Sequence, residues 1–172
     1  KSKMISKTDY TKFRIKSDTM MLNYKRKEKV YYTNAILFNH DSIFRNKKFL
    51  LPRIIIAIIE KNYTFLNDII KENIFEDFSH AKDICQGLSK IMFGTKNFDK
   101  LILSSGKSTS INDIIRHVVK KNKLHLDINL KKPKNKKALI GDNKIARQQL
   151  NWSHKKNVYI AADEIYKHMV NK

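Results

Sequence analysis

The chain has 172 residues, 41% apolar and 10% aromatic, which fits about one folded domain and argues against disorder. Lys and Arg number 36 against 16 Asp and Glu, a net charge of +20 that attracts anions: phosphorylated small molecules, nucleic acid or acidic membranes. Abundant Lys, Ile and Asn would equally follow from AT-rich codon usage. The single cysteine, Cys85, excludes an intrachain disulfide framework and fits a reducing compartment. No apolar leader follows Lys1, and residues 49–59, the most apolar stretch, contain Pro52 and Arg53 and are too short to span a bilayer. The sequence therefore reads as soluble and cytoplasmic, and its start without Met is expected of a fragment.

Residues 9–28 have Tyr10, Phe13, Met20, Met21 and Tyr24 at helical spacing, with Asp9 as cap. Residues 30–39, rich in β-branched and aromatic side chains, predict a buried strand. After a polar loop, Pro52 opens a short apolar helix over residues 53–61. Residues 75–78 predict a strand, and Ser79 a cap for a helix over 80–92. Residues 101–104 predict another strand, closed by Ser105 and Gly106. Ser110 and Asp113 resemble a capping box opening a helix to about Lys121. Leu124, Leu126, Ile128 and Leu130 alternate with polar residues and predict a half-buried strand. A basic loop, KKPKNKK, occupies 131–137. Asp142 caps a helix through Leu150, and residues 158–170 form the last. Such alternation of helix and strand indicates an α/β architecture.

The four glycines, Gly87, Gly94, Gly106 and Gly141, are too far apart to build a phosphate-cradling turn, so neither a dinucleotide fingerprint nor a P-loop is present. The six histidines have no partners at metal-ligand spacing, so no metal is expected. No GxSxG elbow occurs. Tyr10 and Arg14, at i and i+4, share one helical face; a cation beside a phenol favours the phenolate, a competent base. On a basic helix such a pair is more often structural than catalytic.

The string Asn34-Ala35-Ile36-Leu37-Phe38-Asn39-His40-Asp41-Ser42 resembles the N-G-I-L-F-N-H-E-S signature of the GDP-mannose 4,6-dehydratases, extended short-chain dehydrogenase/reductases of the NAD-dependent epimerase/dehydratase group. The resemblance continues on both sides. Tyr10 and Arg14 fall on the family's Y-x-x-x-K. Residues 49–57 align with F-V-T-R-K-I-T-R-A, and residues 77–83, DFSHAKD, with D-W-G-H-A-K-D. Ser105-Gly106 fits a strand-closing T-G. Pro133, Leu139-Ile140-Gly141-Asp142, Lys144, Ala146, Leu150 and Trp152 follow R-P-x-E…L-L-G-D…K-A…L-x-W.

That resemblance implies a fold and a reaction. The fold is the carboxyl-terminal portion of a Rossmann-type parallel sheet with a smaller α/β substrate-binding domain. Residues 1–48 would belong to the cofactor domain and 49–172 mostly to the substrate domain, with 93–106 returning to the sheet. The implied reaction forms a 4-keto-6-deoxy sugar nucleotide with bound NADP or NAD: hydride leaves C4, water is eliminated across C5 and C6, and hydride returns to C6. Tyr10 would accept the 4-hydroxyl proton, and Arg14 would orient the nicotinamide ribose. His40 and Arg45 would touch the cofactor. Asn39, Arg53, Lys132 and Asn135 would hold a nucleotide-sugar, GDP-linked in the family pattern. Pairing into a homodimer or tetramer would use the first helix.

Four positions depart from the family pattern. Arg14 replaces a lysine with a wider fork; Glu76 stands where an arginine faces the substrate; Asn135 replaces a glutamate; Ile43 replaces a proline. The glycine-rich βαβ and the strand carrying the catalytic Thr and Glu match nothing in this chain. Two other readings stand beside the dehydratase: a non-catalytic homologue that keeps only the fold, and a basic nucleic-acid-binding protein. The absence of any helix-turn-helix, RNP or zinc-knuckle pattern speaks against the latter, and a steep salt dependence of DNA or RNA affinity would identify it.

Overall fold

The computed structural model describes residues 8–130 and 138–171. Helix α1 spans Asp9–Glu28, followed by strands β1 (Asn34–Leu37) and β2 (Asn39–Asp41). Helices α2 (Leu50–Ile59) and α3 (Tyr63–Glu72) precede β3 (Phe75–His80) and α4 (Ala81–Phe93). Then come β4 (Lys100–Leu103), β5 (Ser108–Ser110), α5 (Ile111–Lys121), α6 (Lys144–Gln149) and α7 (Val158–Val170). β1 pairs in parallel with β4, from Asn34 opposite Lys100 to Leu37 opposite Leu103. Phe38 separates this sheet from a second, in which β3 lies between β2, parallel, and β5, antiparallel. The architecture is α/β, with Rossmann-type parallel strands.

Two apolar clusters hold the fold. The larger joins Leu51, Ile54, Ile55 and Ile58 of α2 to Leu66 of α3, Phe78 of β3, Ile111, Ile114, Ile115 and Val118 of α5, and Ala161, Ala162 and Ile165 of α7. Each buried Leu or Ile contributes about 1.5–3 kcal/mol. The smaller contains Ile84, Phe98, Leu101, Leu103, Ala146 and Trp152. Gly87 helps it close: a Cβ there would lie 2.7 Å from Leu103 Cδ1, so any larger residue would have to displace the Leu103 side chain between α4 and β4. The Trp152 indole N–H donates to the Asp83 carbonyl at 2.8 Å, while the Asp83 carboxylate accepts from the Lys155 and Lys156 amides.

Several expectations are corrected. Thr8, not Asp9, caps α1; its hydroxyl accepts from the Thr11 amide at 3.2 Å, and the Thr11 hydroxyl accepts from the Thr8 amide. The strand expected over 30–39 breaks into β1 and β2. α2 begins at Leu50, placing Pro52 inside its first turn, where its missing N–H has no partner to lose. α3 and β5 were not anticipated. His80 rather than Ser79 caps α4, its Nδ1 accepting from the Lys82 amide. Ser110 does cap α5, through the Asn112 amide, but Asp113 pairs with Arg116 rather than closing a box. Residues 124–130 form no strand; Leu124, Leu126, Ile128 and Leu130 still pack on the larger core. Asn143 occupies the α6 cap position, and Asp142 accepts from the Lys144 amide beside it.

Candidate active site

α1 meets the sheet through one stripe, Thr11, Ile15, Asp18, Leu22 and Lys25, of which only Asp18 is fully buried. Asp18 Oδ1 accepts from Asn34 Nδ2 at 2.6 Å and Tyr32 OH at 3.4 Å, and Oδ2 pairs with Lys100 Nζ at 2.6 Å. Burial pushes this carboxyl up, but the Lys100 ammonium and the Asn34 amide outweigh it and hold the group below its ordinary value. Tyr32 is shifted up by burial and by the Asp18 charge, with Arg14 opposing. Lys25 Nζ anchors the far end of α1 on the Phe98 carbonyl and Asp99.

Under α1 lies a cleft of about 500 Å³ lined by Arg14, Ile15, Ser17, Asp18, Tyr32 and residues 34–37. Tyr10 stands one turn before Arg14 and is 72% exposed. The helix holds these two side chains near each other, as i and i+4 positions must be.

The remaining candidates are distributed over other surfaces. Asn39 Nδ2 reaches Glu76 Oε2 at 3.5 Å across β2 and β3. His40 turns its Nδ1 to the Phe38 carbonyl at 2.7 Å. Arg45 lies over the Phe49 ring, 3.5 Å from its centroid, with Nε 3.6 Å from the buried Asp41 carboxylate. Burial raises the Asp41 carboxyl, partly offset by Arg45 and His40. Arg45 also lines a separate cavity between α2 and α7 with Ile43, Ile56, His168 and Met169. Arg53 projects from α2 over the Phe65 ring of α3. Tyr10 and Arg14 thus stand together, as do Asn39 and Glu76, whereas Arg45 and Arg53 line two further depressions. Lys132 and Asn135 lie outside the described residues.

Residues that sequence reasoning left without a role organise the centre. The buried Asp77 carboxylate accepts from the Ser105 amide at 2.9 Å, the Ser105 hydroxyl at 2.6 Å, the Gly106 amide at 3.0 Å and the Gly141 amide at 3.1 Å. DFSHAKD, Ser105-Gly106 and LIGD are therefore three strings tied to one carboxylate. In the same segment His80 Nε2 meets Glu164 Oε2 at 2.8 Å, and Lys156 Nζ meets the other oxygen of Glu164 at 2.7 Å. The sequence signal for the Asp77 convergence was that all three strings match motifs of the resembled family; their spacing gave no hint of the contact.

The glycines test which part of a dinucleotide cofactor this chain fits. Gly87 faces Leu103 and Trp152, Gly94 its own helix, Gly106 Asn143 and Gly141 Ser104 and Phe38. None presents open backbone to a pyrophosphate. Among the described residues the glycines therefore offer no cradle for the phosphates of such a cofactor. Among the described residues no three His, Cys, Asp or Glu side chains gather as for a metal ion, and no helix is long and apolar enough to cross a membrane.

The GDP-mannose 4,6 dehydratase (family) profile matches residues 7–165. GDP-mannose 4,6 dehydratase of Homo sapiens is 24% identical over 88% of this chain and 46% of its own length; the chain spans about half the length of the curated relatives it matches. RMD from Pseudomonas aeruginosa, solved with NADPH, superposes with a TM-score of 0.78 at 15% identity, over 95% of this chain and 56% of its own. UDP-glucuronic acid 4-epimerase from Bacillus cereus, solved with UDP-glucuronic acid and NAD, gives 0.76 at 16% identity, over 99% and 57%. Those two establish the fold, and the profile, matching most of the sequence, establishes the lineage: the chain belongs to the GDP-mannose 4,6 dehydratase family.

Proposed function

We propose that this chain supplies the substrate-side half of a sugar-nucleotide 4,6-dehydratase acting on a GDP-linked hexose. The observation that carries the reading is Arg14 at the mouth of a cleft walled by the strand bearing the family signature, with the exposed Tyr10 one turn before it on α1. Tyr10 accepts the proton of the sugar 4-hydroxyl, and Arg14 places positive charge on the same face. A nicotinamide cofactor, NADP or NAD, supplies hydride acceptance and return when bound. His40 and Arg45 face its loop side. Asn39, Arg53, Lys132 and Asn135 hold the nucleotide-sugar, and the half-buried Glu76, hydrogen-bonded to Asn39, adjusts which hexose fits.

On this reading residues 1–48 and 93–106 belong to the cofactor-side sheet, and the rest of 49–172 to the substrate domain. The parallel pairing of β1 with β4 supports that division. A homodimer would form through the second stripe of α1, where Phe13, Met20, Met21 and Tyr24 are exposed.

The test is an assay of the chain joined to a cofactor half, with GDP-mannose and NADP, following the 4-keto product. Product formation that Tyr10→Phe abolishes supports the reading. Nucleotide-sugar binding without product identifies a non-catalytic homologue. No nucleotide-sugar binding at all refutes the proposal.

A further inference from the structure

The two ends of α1 meet different surroundings. Lys25, near its carboxyl end, donates to the Phe98 carbonyl and to Asp99, just before β4. Tyr10 lies about 22 Å away along the helix axis, at 1.5 Å per residue. The end away from Tyr10 gathers several elements. The last turn of α1 and its cap bring Arg26, Lys27 and Lys29. The last turn of α4 brings Lys90, Met92 and Phe93. The Tyr31 hydroxyl donates to the Thr95 carbonyl at 3.1 Å and the Thr33 hydroxyl to the Phe98 carbonyl at 2.9 Å, so the entry to β1 lies against the connection from α4 to β4. Lys90 Nζ donates to the Asn151 carbonyl at 2.8 Å, which draws the end of α6 to the same place. A depression of about 400 Å³ opens there, lined by Lys90, Phe93, Lys96 and Leu150 among others.

This end is both apolar and cationic. Phe93 is 80% exposed, Met92 73% and Tyr31 71%. Scattered singly such side chains need no explanation, but gathered at one tip they mark a contact. The carboxylates of these segments are already matched: Asp99 faces Lys25 at 2.9 Å and Arg26 at 3.8 Å, and Glu28 faces Lys27 at 3.4 Å. Lys29, Lys90 and Lys96 come in addition, so the rim is positive. Apolar tips inside a cationic rim complement a bilayer with anionic headgroups, where aromatic rings settle at the interface and lysines meet phosphates. Nucleic acid would satisfy the cations and leave Met92 in water.

We propose that this end of the molecule is a docking surface for an anionic lipid bilayer, with Met92 and Phe93 inserted among the headgroups and Lys29 and Lys96 against the phosphates. The attachment is peripheral, and it turns the Tyr10 end of α1 toward the medium. The inference goes beyond the dehydratase reading and does not depend on it.

The measurement is flotation of the full chain with vesicles of phosphatidylcholine alone or of equimolar phosphatidylcholine and phosphatidylserine. The chain should float with the second and not with the first. Met92→Ser with Phe93→Ser should weaken binding by about tenfold or more. Lys29→Gln and Lys96→Gln should each weaken it by about fivefold. Because these residues are exposed, the variants should melt within a degree or two of the parent. In Phe93→Trp the new indole should shift its emission to the blue on anionic vesicles and be quenched by brominated lipid, against the constant background of the buried Trp152. The proposal is overturned by no flotation with anionic vesicles or by equal flotation with both kinds. Flotation that the paired serine variant leaves unchanged also overturns it, since that is diffuse adsorption of a basic chain. So do two other results. A single-stranded oligonucleotide bound more tightly than vesicles, and weakened by the lysine variants alone, assigns the end to nucleic acid. Self-association that the serine variant abolishes assigns it to a second copy.

Discussion

Asp77 and Ser105, 28 residues apart, are joined twice, because one carboxylate oxygen accepts from both the amide and the hydroxyl of Ser105. The other oxygen accepts from Gly106 and Gly141. Charge-assisted hydrogen bonds contribute about 1.5–3 kcal/mol each, and a donor stranded in the interior costs a similar amount. Asp77→Ala should lower the unfolding free energy by about 3–5 kcal/mol in urea titrations. If that variant does not fold, Ser105→Ala, which removes one of the four donors, should cost about 1–2 kcal/mol. Equal stability of Ser105→Ala and the parent would contradict the assignment.

Gly141 packs so tightly that an added methyl would collide with Ser104 and with the Phe38 ring. Its carbonyl also accepts from the Ser104 hydroxyl. Gly141→Ala should destabilise by about 1–3 kcal/mol through overpacking. Calorimetry on the variant would read this as a lowered melting temperature, and pairing it with Ser104→Gly should recover part of the loss.

The Glu164 carboxyl is pushed up by burial but held below its ordinary value by the Lys156 ammonium and by His80. A carboxyl depressed in the folded state stabilises the fold above its unfolded value, and that contribution disappears as pH falls through the folded value. Stability should therefore decline on the acid side of the ordinary carboxylate range. In Glu164→Gln the decline should be shallower, with the difference vanishing at still lower pH. Parallel curves for the two proteins across that window would contradict the ion-pair account.

For catalysis, Tyr10→Phe in the assembled enzyme should reduce kcat by about 10²–10⁴-fold with little change in KM, as expected for loss of a positioned base. On the proposal that Arg14 meets the nicotinamide ribose, Arg14→Ala should raise the apparent KM for the cofactor as well. Because Tyr10 is 72% exposed, neither change should move the melting temperature by more than a degree or two.

The helices were legible where apolar period and caps agreed, as in α7, whose Val158, Ala161, Ala162 and Ile165 form one inward stripe. α3 was not: its Tyr, Thr and Phe residues favour strands locally, and burial of Leu66 and Ile69 against α2 and α5 decides otherwise. Asn62 was the available clue, since its side chain accepts from the Phe65 amide. Alternation over 124–130 correctly marked which side chains face the core, but alternation measures burial and says nothing about a pairing partner. The Tyr10–Arg14 pair was readable because four residues make one turn. Convergence on Asp77 was not, since it brings together amides 64 positions away in sequence and no periodicity reports such a distance. Nor did the order of Arg45 and Arg53 along the chain foretell that they line different depressions.

The attachment of α1 has a consequence for how the protein behaves in its medium. This helix is held to the sheet by Lys100 on Asp18 and Lys25 on Asp99, with no oily face beneath it comparable to that of α2. Contacts of that kind weaken as counterions accumulate, while the isoleucine-rich interior tightens under salting-out salts. Concentrated salt would thus loosen the helix bearing Tyr10 and Arg14 while the rest of the molecule became firmer, so that in brine this face is lost well before the core unfolds.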